Sequence, residues 1–276
     1  MRDDRLSDGN LPLELDAFVG RTAELAALSR LLETSRLVTV TGAGGVGKSR
    51  LAARAALGRA AWRVELAPVR DPEFVDYAVV QALGLTDHTT RLPRETLLAR
   101  LGRCDRQLLL VLDGFEHLVE ACAELVTELL CRVPGLTVLA VGRRPLCVPG
   151  ERVFTLAPLG EDEAVELFVD RAGGQGAAVG DDPDVRELCR RLDGIPLAVE
   201  LAAGRLRALS PDQLLARFDD RFRLLTGAAH GVPARHRTLR TAIGWSHELC
   251  TPEERLLWSR LSVFAGLFDL EAVEYV

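Results

Sequence analysis

Gly42-Ala43-Gly44-Gly45-Val46-Gly47-Lys48-Ser49 satisfies the pattern G-x-x-x-x-G-K-[ST] at every position. Residue types in this order suit the binding of phosphate. Glycines let the backbone turn tightly and bring successive N–H groups against phosphate oxygens, with the positive end of a following helix behind them. Lys48 offers a mobile point charge to β- and γ-phosphates, and the Ser49 hydroxyl can ligate Mg²⁺. Composition singles out the same residue. Lys48 is the only lysine among 34 lysine and arginine residues, kept where a compact ammonium on a flexible stem fits and a planar guanidinium does not. The stretch reads as a nucleotide phosphate site. Gly42, Gly44, Gly45, Val46, Gly47, Lys48, Ser49 and Arg50 are its expected nucleotide contacts.

Three further positions could complete the chemistry. Asp113 ends the apolar run Leu108–Leu112, and an acid at the end of a strand beside a phosphate loop can hold Mg²⁺ through its water shell. Ser49 and Asp113 are therefore the expected metal-site pair. Arg143 or Arg144, at the end of another apolar run, could sense or stabilise a γ-phosphate, or simply be a solvated loop arginine. Glu116 could orient an attacking water, or favour the N-terminus of the helix that follows it. His117 reads as structural.

These residues need elements to position them. Leu37–Val40 is a buried strand leading into the glycine loop, and a helix should run from Lys48 to about Ala60. Trp62–Leu66 alternates as a strand does, and Asp71-Pro72 caps a helix through Leu83. A short helix is expected over Pro93–Leu101. Leu108–Asp113 and Leu136–Val141 are continuous apolar runs, which fit strands covered on both faces of a parallel sheet. Arg152–Leu156 is the last strand. Strands alternating with helices predict an α/β fold, a parallel sheet with helices on both faces.

From Gly160 onward the pattern is helical. Gly173–Asp182 is expected to be a mobile glycine-rich loop. Asp182-Pro183 opens a helix, and Ser210-Pro211-x-Gln213 and Thr251-Pro252-x-Glu254 have the form of capping boxes. A basic stretch, Arg235–Arg240, precedes a helix through Trp245. Residues 1–17 read as an arm.

A net charge of −6 over 276 residues argues against the segment as a whole being a nucleic-acid surface. No run approaches the apolar length of a membrane span, and the N-terminal residues lack the apolar core of a secretory signal. The expected compartment is the cytoplasm. Six cysteines are scattered without metal-ligand spacing, so buried reduced thiols are expected.

With these residues assembled, the chain resembles the STAND class of signal-transduction P-loop ATPases. It is most similar to the NB-ARC-type module of large bacterial regulators that often carry a LuxR-type helix-turn-helix. The resemblance rests on residues 10–25, TGAGGVGKS (41–49), LLLVLDGFEHL (108–118), VLAVGRRPL (138–146), residues 156–168, GIPLAVELAA (194–203) and residues 235–249. It implies a P-loop domain over 18–159, a helical lid domain over 160–232 and the beginning of a winged-helix domain over 233–276, the chain being a piece of a longer protein. It further implies that Phe18, Val19, Gly20 and Arg21 lie along an adenine. Pro196 would touch the base from the helical domain, Asp113 would be the Walker B acid and Arg143 the sensor arginine. The family sheet order would set the Leu136–Val141 strand between those bearing the phosphate loop and Asp113. Gly114 stands where relatives usually carry Asp or Asn, which implies slow hydrolysis and an increase in rate if Asp is restored there.

Two functions follow from different classes. One is an ATP/ADP switch, with Mg²⁺, that self-associates on activation and reaches DNA only through a domain outside this chain. The other is a working ATPase or phosphotransferase whose turnover is the output.

Overall fold

A computed structural model describes residues 9–85, 92–104, 106–176, 179–216, 247, 250–262 and 264. Five strands form one parallel sheet: β1 (Leu37–Thr41), β2 (Ala61–Glu65), β3 (Leu108–Asp113), β4 (Leu136–Val141) and β5 (Arg152–Thr155), in the order β2-β3-β4-β1-β5. The strand β4 lies between those carrying the glycine loop and Asp113, as the resemblance implies.

Continuous apolar runs make this sheet because each strand has two faces to bury. Along β3, Leu108, Leu110 and Leu112 join one core with α3 (Val75–Ala82), α4 (Pro93–Leu101) and α5 (Val119–Arg132). Leu109 and Val111 join the opposite core with α1 (Thr22–Thr34) and α2 (Lys48–Ala56). The strand period of two sends alternate residues to opposite sides, so an uninterrupted run is what a covered strand requires. Helix α5 shows the matching helical spacing, burying Cys122, Leu125, Val126 and Leu129.

After β5 the described elements are helical: α6 (Glu161–Gly174), α7 (Pro183–Arg191), α8 (Pro196–Ala203) and α9 (Pro211–Ala216). They pack on a core of their own around Phe168, Val185, Leu188, Val199 and Leu214. A further helix, α10, covers Pro252–Leu261, and Thr251 and Glu254 form its full capping box. The basic stretch 235–240 and the helix through Trp245 lie outside the described residues, as does most of the expected winged-helix segment.

Several expectations need correction. Helix α2 stops at Ala56 rather than near Ala60, because Leu57 is extended and Gly58 takes φ +77°. Helix α6 runs through Gly173 and Gly174, which the sequence assigned to a loop. Ser210 makes half of a capping box. Its N–H donates to Gln213 Oε1 at 3.2 Å, but its hydroxyl turns to Asp212. Only Cys122 and Cys189 are buried, and burial pushes both thiols up to about 12. Cys131 and Cys147 are exposed, and none of the six cysteines is in a disulfide.

Part of the arm is attached. Gly9 bridges Ala61 at the open edge of β2. The Asn10 side chain accepts from the Arg63 N–H at 2.6 Å and donates to the Arg63 carbonyl at 3.0 Å. One side chain thus satisfies both main-chain groups of an edge residue that would otherwise face water or another strand.

Candidate nucleotide site

The glycine loop follows β1 and gives way to α2 at Lys48, so the N-terminus of α2 points into the mouth of the sheet. Gly45 and Gly47 have φ of +81° and +99°, a backbone region that disfavours side chains. Lys48 Nζ donates to the loop carbonyls of Gly42 and Ala43 at 2.9 and 2.8 Å. Burial lowers the Lys48 pKa to about 8; Glu116 and Asp113 pull it back up, while Arg143 pushes it further down. Those three side chains therefore stand close enough to feel the Lys48 charge.

Asp113 is buried and engaged at both carboxylate oxygens. Its Oδ1 accepts from Ser49 Oγ at 2.8 Å. Its Oδ2 accepts from Arg63 Nη2 at 2.6 Å and Nε at 3.1 Å. The two oxygens expected at a metal site are adjacent, and hard neutral and anionic oxygens are the donors Mg²⁺ takes. Among the described residues no three His, Cys, Asp or Glu gather as a metal cluster.

The structure separates the two candidate arginines. Arg143 Nε lies 3.8 Å from Glu116 Oε1, whereas Arg144 donates to the Glu116 carbonyl at 3.0 Å and braces the turn. Glu116 is buried and faces this cluster; the acid in the first turn of α5 is Glu120. His117 Nε2 lies 2.5 Å from the Val69 carbonyl oxygen, a structural contact. Gly114 has its own explanation. Its φ is +79°, and a Cβ there would come within 3.1 Å of Ala67 Cβ. The glycine answers a backbone requirement, so Asp at 114 would strain this turn and is no clean test of a missing carboxylate.

A cavity of about 500 Å³ opens beside the loop, within the range of small-molecule sites. Residues 45–50 form its floor, and Phe18, Val19 and Arg21 one wall. Pro196 and Leu197 close it from α8, and Arg63 and Glu65 reach it from β2. Asp113, Glu116 and Arg143 lie outside this wall, as do Gly20, Gly42 and Gly44. Gly42 fits a close approach instead, since a Cβ there would sit 2.5 Å from the Leu156 carbonyl oxygen.

Arg21 and Gly20 hold the parts together. Arg21 is buried with φ +62°. Its guanidinium donates to Ala157 O at 2.7 Å, Val46 O at 3.2 Å and Glu24 Oε1 at 2.7 Å, and its N–H to Glu163 Oε1 at 2.7 Å. It joins the glycine loop, the segment leaving β5 and the start of α6. Gly20 leaves room for Glu163, whose Cδ would lie 2.8 Å from an added Cβ. Arg50 and Arg171 both reach Glu200 of α8, at 3.4 and 3.1 Å, and both also donate to the Ala17 carbonyl. Such half-exposed pairs contribute little energy singly; their value is positional.

Sequence reasoning missed Arg63, Glu65, Arg171 and Glu200. Arg63 and Glu65 are polar members of an alternating strand, a pattern shared with any solvated strand face. Glu200 sits one helical turn after Pro196, which was the available signal.

A parallel sheet with a glycine loop, a lysine and serine at the helix start and an acid on a nearby strand defines a P-loop NTPase. The comparisons agree. Residues 12–143 match the family described as Novel STAND NTPase 1. An uncharacterized protein of Mycobacterium tuberculosis, Rv0894, is 42% identical over 275 residues, which is 95% of this chain and 69% of that protein. The "Putative HTH-type transcriptional regulator Rv0890c" of the same species is 45% identical over 255 residues, 89% of this chain. The match spans only 29% of that regulator's length. In fold, the chain is similar to the Walker-type ATPase PABY2304 of Pyrococcus abyssi, with TM-score 0.57, 16% identity and 75% and 74% of the two chains covered. It is also similar to the STAND protein PH0952 of Pyrococcus horikoshii, which has a tetratricopeptide repeat sensor. There the TM-score is 0.50 and the identity 17%, with 96% of this chain and 37% of that one covered. Residues 12–143, just under half of the chain, thus match a STAND NTPase family, and the fold is that of the P-loop ATPases. Among the described residues no helix is long and apolar enough to cross a membrane.

Proposed function

We propose that this chain is the ATP/ADP-binding switch module of an NB-ARC-type STAND ATPase. It would act in the cytoplasm and regulate transcription through an effector domain outside the chain. The observation that carries the proposal is the seating of α8 on the glycine loop. Leu197 N–H donates to the Gly45 carbonyl at 3.2 Å, and a Cβ on Gly45 would meet Leu197 Cβ at 2.9 Å. The cleft therefore lies between the sheet and the helices, so a bound nucleotide touches both and can bias how they sit. On this reading residues 18–159 form the nucleotide domain, 160–232 the lid and 233–276 the beginning of a winged helix. Opening of the lid on exchange of ADP for ATP would permit self-association.

In this cleft the loop N–H groups and Lys48 would hold the phosphates, and Ser49 and Asp113 would hold Mg²⁺. Bound Mg²⁺ supplies neutralisation of phosphate charge. Val19 and Pro196 would enclose the adenine, while Arg21 positions the wall that carries Val19. Two outcomes test the reading. ATP and ADP should displace a fluorescent ADP from the protein, and GTP should do so at least about tenfold more weakly, a difference of about 1.4 kcal/mol. Hydrogen exchange over 194–203 should differ between the ADP and ATP complexes. Equal competition by GTP removes the adenine assignment, and identical exchange removes the switch.

Hydrolysis should be slow, below about 1 s⁻¹, the lower end of kinase rates. Glu116, buried and 3.8 Å from Arg143, is the candidate for positioning the attacking water. Glu116→Gln should lower steady turnover by about 10²-fold while ATP affinity is retained. An unchanged rate would return Glu116 to a purely structural role.

A further inference from the structure

We infer that Arg63 is an internal counter-ion of Asp113 and sets how much Mg²⁺ the nucleotide complex needs. The inference rests on the proposed reading of the cleft. Its starting point is that the acid expected to hold the metal already carries a cation. Arg63 makes a two-pronged contact to Asp113 Oδ2, and Ser49 takes Oδ1. A carboxylate has about four lone-pair directions, so three are used. A hydrated Mg²⁺ arriving here meets both a shortage of acceptor sites and a like charge within contact distance of its carboxylate.

The position of Arg63 is built rather than incidental. It lies on β2, and Asn10 clasps both its main-chain groups from the sheet edge. The Asn10 amide also donates to the Ala82 carbonyl at 3.1 Å, tying the clasp to the end of α3. The guanidinium is about one quarter exposed, Asp113 almost not at all, so in any exchange Arg63 is the partner that can leave. It has somewhere to go. Glu65, two residues along the same strand face, lines the same cavity, and a nucleotide's phosphates would lie nearby.

The charge balance gives the consequence. With ADP, the Arg63–Asp113 pair keeps the acid neutralised without metal. With ATP, the added phosphate charge brings Mg²⁺ into competition with Arg63 for Asp113. The guanidinium then moves off, and the edge strand held by Asn10 becomes sensitive to the triphosphate.

The test is a Mg²⁺ titration of fluorescent-ATP binding to the whole chain, wild type against Arg63→Gln, with binding of fluorescent ADP in EDTA as reference. Arg63→Gln should move the Mg²⁺ midpoint at least about tenfold lower, since one competing charge is gone, with each protein's midpoint taken relative to its own metal-free ADP affinity. Arg63→Lys keeps a charge but loses the fork. It should shift the midpoint the same way by about threefold, and it serves if the glutamine variant does not fold. A midpoint unchanged or raised in the folded variants, while wild type binds nucleotide, overturns the role of Arg63 alone. Failure of wild type to bind either nucleotide overturns the cleft reading and this inference together.

Discussion

Lys48→Ala is expected to lower adenine-nucleotide affinity at least tenfold, about 1.4 kcal/mol, without unfolding the chain. The side chain does little for the fold, since its ammonium donates only to two carbonyls of its own loop. Its cost is electrostatic. Burial has already depressed the pKa to about 8, so the charged form is held at a disadvantage until an anion arrives. Phosphate removes that disadvantage, which makes the lysine worth more in the complex than in the free protein. Isothermal titration with ADP measures the loss, and a thermal melt of the free variant checks the fold. Equal affinities for wild type and variant would remove the phosphate-loop assignment.

Gly194→Ala should destabilise the protein by about 2–4 kcal/mol. Gly194 has φ +60°, and a Cβ there would come within 2.3 Å of the Leu159 carbonyl oxygen. The obstruction is main chain and cannot swing aside. Leu159 N–H donates to the Gly194 carbonyl at 2.9 Å, and Gly194 N–H to Cys189 O at 3.2 Å. This one residue closes α7, starts the turn into α8 and fastens the segment leaving the sheet. Urea unfolding should show a lower midpoint, and nucleotide affinity should fall with it because Pro196 and Leu197 follow directly. An unchanged midpoint would mean that the junction relaxes freely.

Much of this was legible in residue order, and the reasons differ by element. Runs such as Leu108–Leu112 fit covered strands, and the structure makes this one a central strand of the sheet; an acid at its end drew its meaning from the glycine loop before it. The order of the strands was not in the periodicity; the place of β4 between β1 and β3 came with the resemblance, and the edge positions of β2 and β5 needed the structure. Between Arg143 and Arg144 the residues alone left the choice open and the resemblance named Arg143; their different partners needed three dimensions, because adjacent residues on a turn point apart. Arg63 was illegible for another reason: an arginine alternating with apolar residues looks the same whether it faces water or a buried aspartate. Gly114 was legible only in part. Compared with relatives it read as a missing carboxylate, whereas its left-handed backbone and the nearness of Ala67 give it a reason of its own.

The state of Lys48 has a practical corollary. It is the sole side-chain amine in the sequence, it stands in the cavity floor, and its pKa of about 8 leaves more free base near neutral pH than an ordinary lysine has. Amine-selective acylating reagents therefore meet a single lysine, and its acylation abolishes the charge that phosphate would meet. A tagged reagent of this kind, read by the mass of the peptide that carries Lys48, reports vacant clefts: each Lys48 adduct is a molecule whose cradle was empty when the label arrived.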